Sequence, residues 1–204
     1  MIRRCRPNLL FFILASLAVV PPTRGNSPPA SQPAPARPDA PDGFKWHEIK
    51  PIKAAFLRPD GWHFSKATNK HGVAYKFTKE DTSKGKSFLT GLTINVTKKV
   101  TEKSHVKPSL YAVHFMQEYT KGLKVTLDGK LDHIGILQRL IFEVVKKIPE
   151  TDTDQDFRVR VVVIANDKTD TMYTIFFGAP NDEWEQAWKI GNVLLSMFML
   201  DDDV

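Results

Sequence analysis

The chain has 204 residues, 42% of them hydrophobic and 25% charged, with a formal net charge of +6 and a single cysteine, Cys5. Four arginines and no acids fall in residues 1–25, so removing that segment leaves +2 and weakens any argument for nucleic-acid binding from overall basicity. Without a second cysteine there is no internal disulfide, and beyond residue 5 no thiol nucleophile or thiolate metal site.

Residues 1–25 have the layout of a secretory signal peptide. Arg3, Arg4 and Arg6 precede an apolar run over residues 9–20, and Pro21 and Pro22 end it before the small residues around Gly25. The run is short for a membrane span, which takes roughly 20 apolar residues; an uncleaved signal anchor is the other reading. Cleavage is expected after Gly25 or a few residues earlier. Cys5 precedes the apolar run and so cannot be the lipidated cysteine of a lipoprotein, which must follow it. The destination expected is the periplasm or the exterior. Residues 26–43 carry six prolines and nothing apolar larger than alanine, a composition that predicts an extended, disordered linker.

From Phe44 the texture is that of one ordered domain over residues 44–200. A strand is predicted over residues 52–57, stopped by the turn residues Arg58-Pro59-Asp60-Gly61. Residues 73–78 follow, with Val73, Tyr75 and Phe77 on one face. Leu92, Ile94 and Val96 alternate with Thr93, Asn95 and Thr97, a half-buried strand. Pro108-Ser109 opens a helix to about Lys121, with Gly122 at its end. Residues 137–148 fit either a helical stripe or a strand buried on both faces. We read a strand, because the runs at 157–165 and 171–177 continue a meander of antiparallel strands.

Asp182 is placed to cap a last helix, with Glu185 completing a capping box. Trp184, Ala187, Trp188, Gly191, Leu194, Leu195 and Phe198 mark its apolar face. Gly191 within that stripe predicts close approach to a sheet. The fold class expected is α+β, a twisted antiparallel sheet of about six strands packed against two main helices. Asp201, Asp202 and Asp203 form an acidic tail over residues 201–204.

The Pro-x-Gly-Trp turn within residues 56–62, the strand pair within residues 135–165 and the tryptophan-bearing segment 182–198 resemble the PsbP-like family. That family includes an extrinsic photosystem II protein and PsbP/DcrB-type domains of exported bacterial proteins, and it shares its fold with a Ran-binding nuclear import factor. The resemblance implies the fold and a non-enzymatic, accessory habit. It places no functional residue on this sequence.

No catalytic set stands out. Gly85-Lys86-Ser87 ends like a phosphate loop, but Glu80 occupies the position of its first glycine. There is no Gly-x-Ser-x-Gly elbow and no His-Glu-x-x-His. Asp152, Asp154 and Asp156 alternate like the start of a calcium loop, yet Phe157 replaces its glycine and Val163 its closing glutamate, so a solvated turn is the simpler reading. The six histidines lack metal-site spacing. No cofactor or metal is expected.

Charge is uneven: residues 44–125 carry 16 basic and 6 acidic side chains, residues 126–204 carry 8 and 15. Lys66, Lys70, Lys76, Lys79, Lys84 and Lys86 form a candidate basic stripe for an envelope protein or an anionic surface, unless they simply protect strand edges from aggregation. The leading expectation is an exported, monomeric, non-enzymatic binding or accessory module. The alternative is a carrier of a small apolar ligand between the last helix and the sheet, its pocket lined by Phe115, Tyr119, Trp184 and Trp188.

Overall fold

The computed structural model describes residues 37–69, 72–83, 88–147 and 155–200. The expected leader, most of the linker, Lys70, Lys84, Lys86, Asp152, Asp154 and the acidic tail lie outside these residues. The compact body begins at Asp39, a few residues before the predicted boundary. Ala40 packs on the core, and the Phe44 amide donates to Pro41 O at 3.0 Å.

Among the described residues, ten strands and three α-helices follow. They are β1 (Phe44–Ile49), β2 (Ala54–Pro59), β3 (His63–Asn69), β4 (Gly72–Thr78), β5 (Gly91–Lys98), α1 (Val100–Ser104), α2 (Pro108–Thr120), β6 (Lys124–Ile134), β7 (Leu137–Lys147), β8 (Asp156–Asn166), β9 (Thr171–Pro180), α3 (Trp184–Ser196) and β10 (Phe198–Leu200). Seven strands form one antiparallel sheet in the order β3-β4-β5-β9-β8-β7-β6, and β1-β2-β10 form a small second sheet. The α+β class and the antiparallel meander therefore stand, with more strands than the expected six. The Pro-x-Gly-Trp turn hands the chain from one sheet to the other: the Trp62 amide donates to Pro59 O at 3.2 Å, and Gly61 takes φ +77°.

Alternation gives the large sheet two apolar faces. The first carries Tyr75, Phe77, Leu92, Ile94, Ile175 and Phe177, covered by α3 and the small sheet through Trp184, Leu194, Phe56 and Leu57. The second carries Leu140, Phe142, Val144, Val159, Val161, Val163 and Met172, covered by α2 through Ala112, Phe115, Met116 and Tyr119. Residues 137–147 are a strand, as read, because both of their faces have a helix-covered layer to fill.

The predicted close approach of Gly191 is present: a Cβ there would lie 2.4 Å from a ring carbon of Phe177. Two details of this segment differ from expectation. The helix starts at Trp184 without a side-chain cap, because Asp182 instead accepts a hydrogen bond from Gln155 Nε2 at 2.7 Å. Phe198 lies beyond the helix end, drawn into β10 opposite Phe56 of β2.

Candidate functional site

The second face of the sheet is not fully covered. Along β5 it presents Gly91, Thr93, Asn95 and Thr97, and along β9 their register partners Gly178, Phe176, Thr174 and Met172. Two neighbouring cavities open there beside α2, and Phe176 lines both. The larger, about 500 Å³, has Asn95, Thr97 and Thr174 in its floor, with Tyr111, Phe115, His114, Lys103 and Ser104 around it. The smaller, about 260 Å³, lies over Gly91, Thr93 and Gly178 between Phe88, Tyr119, Val159 and Lys146.

The frame of the larger cavity is held from one turn. Asp167 and Asp170, between β8 and β9, reach the starts of both short walls. Asp167 Oδ1 accepts from the Ser109 amide at 2.9 Å and its Oδ2 from Ser109 Oγ at 2.7 Å, tying down the first turn of α2, which Pro108 opens. Asp170 Oδ1 accepts from the amide and hydroxyl of Thr101 in α1, both at 2.8 Å.

Chemically the larger cavity is aromatic in its walls and polar beneath. Among the described residues, the side chains of Asn95, Thr97 and Thr174 have no hydrogen-bond partner, although Thr174 is only 5% exposed. These groups face the open cavity, where water or a ligand can take up their hydrogen bonds. Among the described residues no carboxylate lines either cavity, while Lys103, His114 and Lys146 stand at their edges. Ser104 Oγ donates to Val100 O at 2.8 Å within its own helix and is not set up as a nucleophile. Among the described residues no group of three His, Cys, Asp or Glu side chains is arranged to hold a metal ion.

The four aromatic residues proposed to share a pocket do not meet, which corrects that expectation. Phe115 and Tyr119 pack on Phe142 and Phe176 on the second face. Trp184 and Trp188 stack on each other, with centroids 5.3 Å apart, against Phe177 on the first. The sheet lies between the two sets. Beneath α3 the contact is solid, since Gly191 meets the Phe177 ring; the cavities open on α2's side instead.

The lysine stripe also divides. Lys66 pairs with Tyr75 in register and its Nζ lies 6.0 Å from that ring, on the first face. Lys76 pairs with Ser65 and lies 5.7 Å from the Phe88 ring, on the second. Lys79 follows β4 and is exposed, its amide donating to Thr90 O at 3.0 Å. Cross-strand partners share a face, so Lys66 and Lys76 cannot form one surface.

A cluster that sequence reading missed lies on the first face. Glu143 is fully buried and accepts from Arg158 Nε at 2.5 Å, Arg160 Nε at 2.6 Å and Thr126 Oγ1 at 2.7 Å. The guanidinium groups lie 5.1 Å from the Trp184 ring and 4.4 Å from the Trp188 ring, bolting α3 to the sheet by cation–π contact. Burial pushes the Glu143 carboxyl up, but the hydrogen bonds from Thr126, Arg160 and Arg158 outweigh it and hold it below the ordinary glutamate value. The sequence signal was Glu143, Arg158 and Arg160 interrupting the apolar runs of β7 and β8.

This arrangement is the PsbP-like fold. The chain is similar to the cyanobacterial PsbP (CyanoP) of Synechocystis sp. PCC 6803, at 10% identity and a TM-score of 0.51 over 79% of this chain and 95% of that one. It is also similar to the Ran-binding protein Mog1p of Saccharomyces cerevisiae, at 12% identity and a TM-score of 0.47 over 77% and 95% of the two chains. No protein-family model matches the sequence. No curated protein matches it either.

Proposed function

We propose that this protein is an exported, non-catalytic binding domain whose recognition site is the pair of cavities between α2 and strands β5 and β9. The observation that carries this reading is the floor of the larger cavity: Asn95, Thr97 and Thr174, without partners among the described residues, beneath aromatic walls. Its volume of about 500 Å³ falls in the range of small-molecule sites, roughly 300–1,000 Å³. A few fixed polar groups in an aromatic enclosure orient a ligand and discriminate among ligands. Among the described lining residues no nucleophile is paired with a base, which favours binding over turnover. Export rests on the arginine-led apolar leader, and among the described residues no helix is long and apolar enough to cross a membrane.

Two measurements test the proposal. Screening small polar aromatic compounds by amide chemical shifts on the full chain should move Asn95, Thr97 and Thr174, and Thr174→Val with Asn95→Leu should abolish those shifts. Hits that cluster on other surfaces would refute the site. For location, cell fractionation with sequencing of the mature N-terminus should place the protein outside the cytoplasm, processed near residue 25; an unprocessed cytoplasmic chain would refute export.

A further inference from the structure

We infer that the smaller cavity is a seat for a planar aromatic anion, its ring laid over Gly178 beside Phe88 and its charge met by Lys146; this rests on reading the α2 side as a binding surface.

Gly178 is the starting point. It lies inside β9, where glycine costs about 0.5–1 kcal/mol relative to alanine. Nothing in the fold asks for it. Its φ is not positive, and an added Cβ would meet only Val159 Cγ2 at 3.6 Å and Arg158 O at 3.9 Å, both ordinary contacts. Its register partner Gly91 has a packing reason, since a Cβ there would lie 2.8 Å from Phe77 O. Two Phe88 ring carbons lie 3.0 Å from that same position, so Phe88 covers Gly91 and the bare peptide is at Gly178 beside it, the feature that marks close approach of a ligand or another backbone.

The surroundings define the ligand. Phe88, Tyr119 and Phe176 wall the patch, so a flat ring has a peptide floor and aromatic sides. About 260 Å³ suits one or two fused rings rather than a long chain. Lys146 Nζ stands 5.0 Å from the Tyr119 ring, and among the described residues it has no carboxylate partner. Lys76, over the outer wall at Phe88, adds a second positive charge, and among the described residues no carboxylate lines the cavity. A neutral ring would leave both cations uncompensated; an aryl carboxylate or sulfonate compensates them.

The test is a titration of the full chain with naphthalene-2-carboxylate, its uncharged carboxamide and the saturated, non-planar decahydronaphthalene-2-carboxylate, followed by amide shifts and calorimetry. The naphthoate is expected to move Gly91 and Gly178, and both comparison compounds to bind about tenfold more weakly, the scale of one lost charge-assisted contact. Gly178→Val and Lys146→Gln should each weaken the naphthoate by about tenfold, with Lys189→Gln, exposed on α3, unchanged. Gly178→Val should keep its thermal midpoint; if it fails to fold, Gly178→Ala takes its place. Equal binding of acid and amide, or indifference to filling Gly178, overturns the inference. Shifts confined to Asn95 and Thr174 overturn it while leaving the proposed binding site standing, and silence in both cavities overturns both.

Discussion

Phe176 and Phe177 are neighbours in β9 and belong to different cores. Phe176 meets Tyr119 at 5.7 Å and borders both cavities, while Phe177 meets Trp184 at 5.9 Å and is fully buried under α3. One peptide bond thus separates the part of the molecule that is packed shut from the part that is open. Stability and recognition are divided between the two faces of one sheet, and each can be perturbed alone.

On the closed face, Gly191→Ala should destabilise. Alanine gains about 1 kcal/mol in helix propensity, but its Cβ would sit 2.4 Å from the immobile Phe177 ring. Overpacking of that kind costs about 1–3 kcal/mol. Denaturant unfolding should show a net loss, and Phe177→Leu in the same chain should recover part of it. A gain in stability would mean that α3 stands further from the sheet.

Removing the charge of Glu143 leaves Arg158 and Arg160 facing each other without their shared carboxylate. Glu143→Gln is expected to cost about 3 kcal/mol, the usual scale for breaking a buried ion pair from one side. Its carboxyl is held low in the fold, so its contribution is complete above the unfolded value near 4.3 and is lost as pH falls through the folded value. The variant should therefore show a flatter acid limb in a plot of stability against pH. An unchanged limb would show that another carboxylate sets it.

His47 gives a second acid-sensitive contribution at higher pH. Its ring packs 4.1 Å from Phe64, and its pKa is lowered first by burial and then by the charge of Arg58, whose buried Nε has no hydrogen-bond partner among the described residues. The neutral ring is the form that the fold accepts. Its contribution is complete above about 6.5 and falls as pH drops from there through the depressed folded value. His47→Phe keeps the ring contact and should remove the slope in that window, as read from thermal midpoints between pH 7 and 5.

Asp167→Ala should loosen the start of α2 by about 1 kcal/mol, the typical cost of losing a helix N-terminal cap. Amide exchange should quicken around Ser109 and Tyr111 while β8 and β9 stay protected. Uniform exchange across the domain would show that α2 does not open separately.

The sequence was most legible where burial is periodic. β4, β5 and the β7–β8–β9 meander announce themselves by alternation, and Gly191 announced the helix contact. β6 did not, because KVTLDGKLDHI is an exposed edge strand with two irregularities in its register and little burial to pattern it. β10 was hidden because Leu194, Leu195 and Phe198 look like one helical stripe, and only the distant partner Phe56 pulls Phe198 away. The cavities were missed for a related reason. Thr93, Asn95 and Thr97 read as the watered half of a strand, and nothing local says that α2 stops short of them. The aromatic set failed because residues far apart in sequence carry no label for which side of a sheet they will meet.

The small sheet has a consequence for when the domain can be finished. Residues 198–200 pair with residues 54–56, so β2 lacks its third-strand neighbour until nearly the whole domain has been synthesised. The β5–β9 junction is delayed in the same way, because residues 91–98 must wait for residues 171–178. Such long-range closures make folding slow relative to local helix formation. A nascent polypeptide of this design can close neither sheet until residues 171–200 have been made.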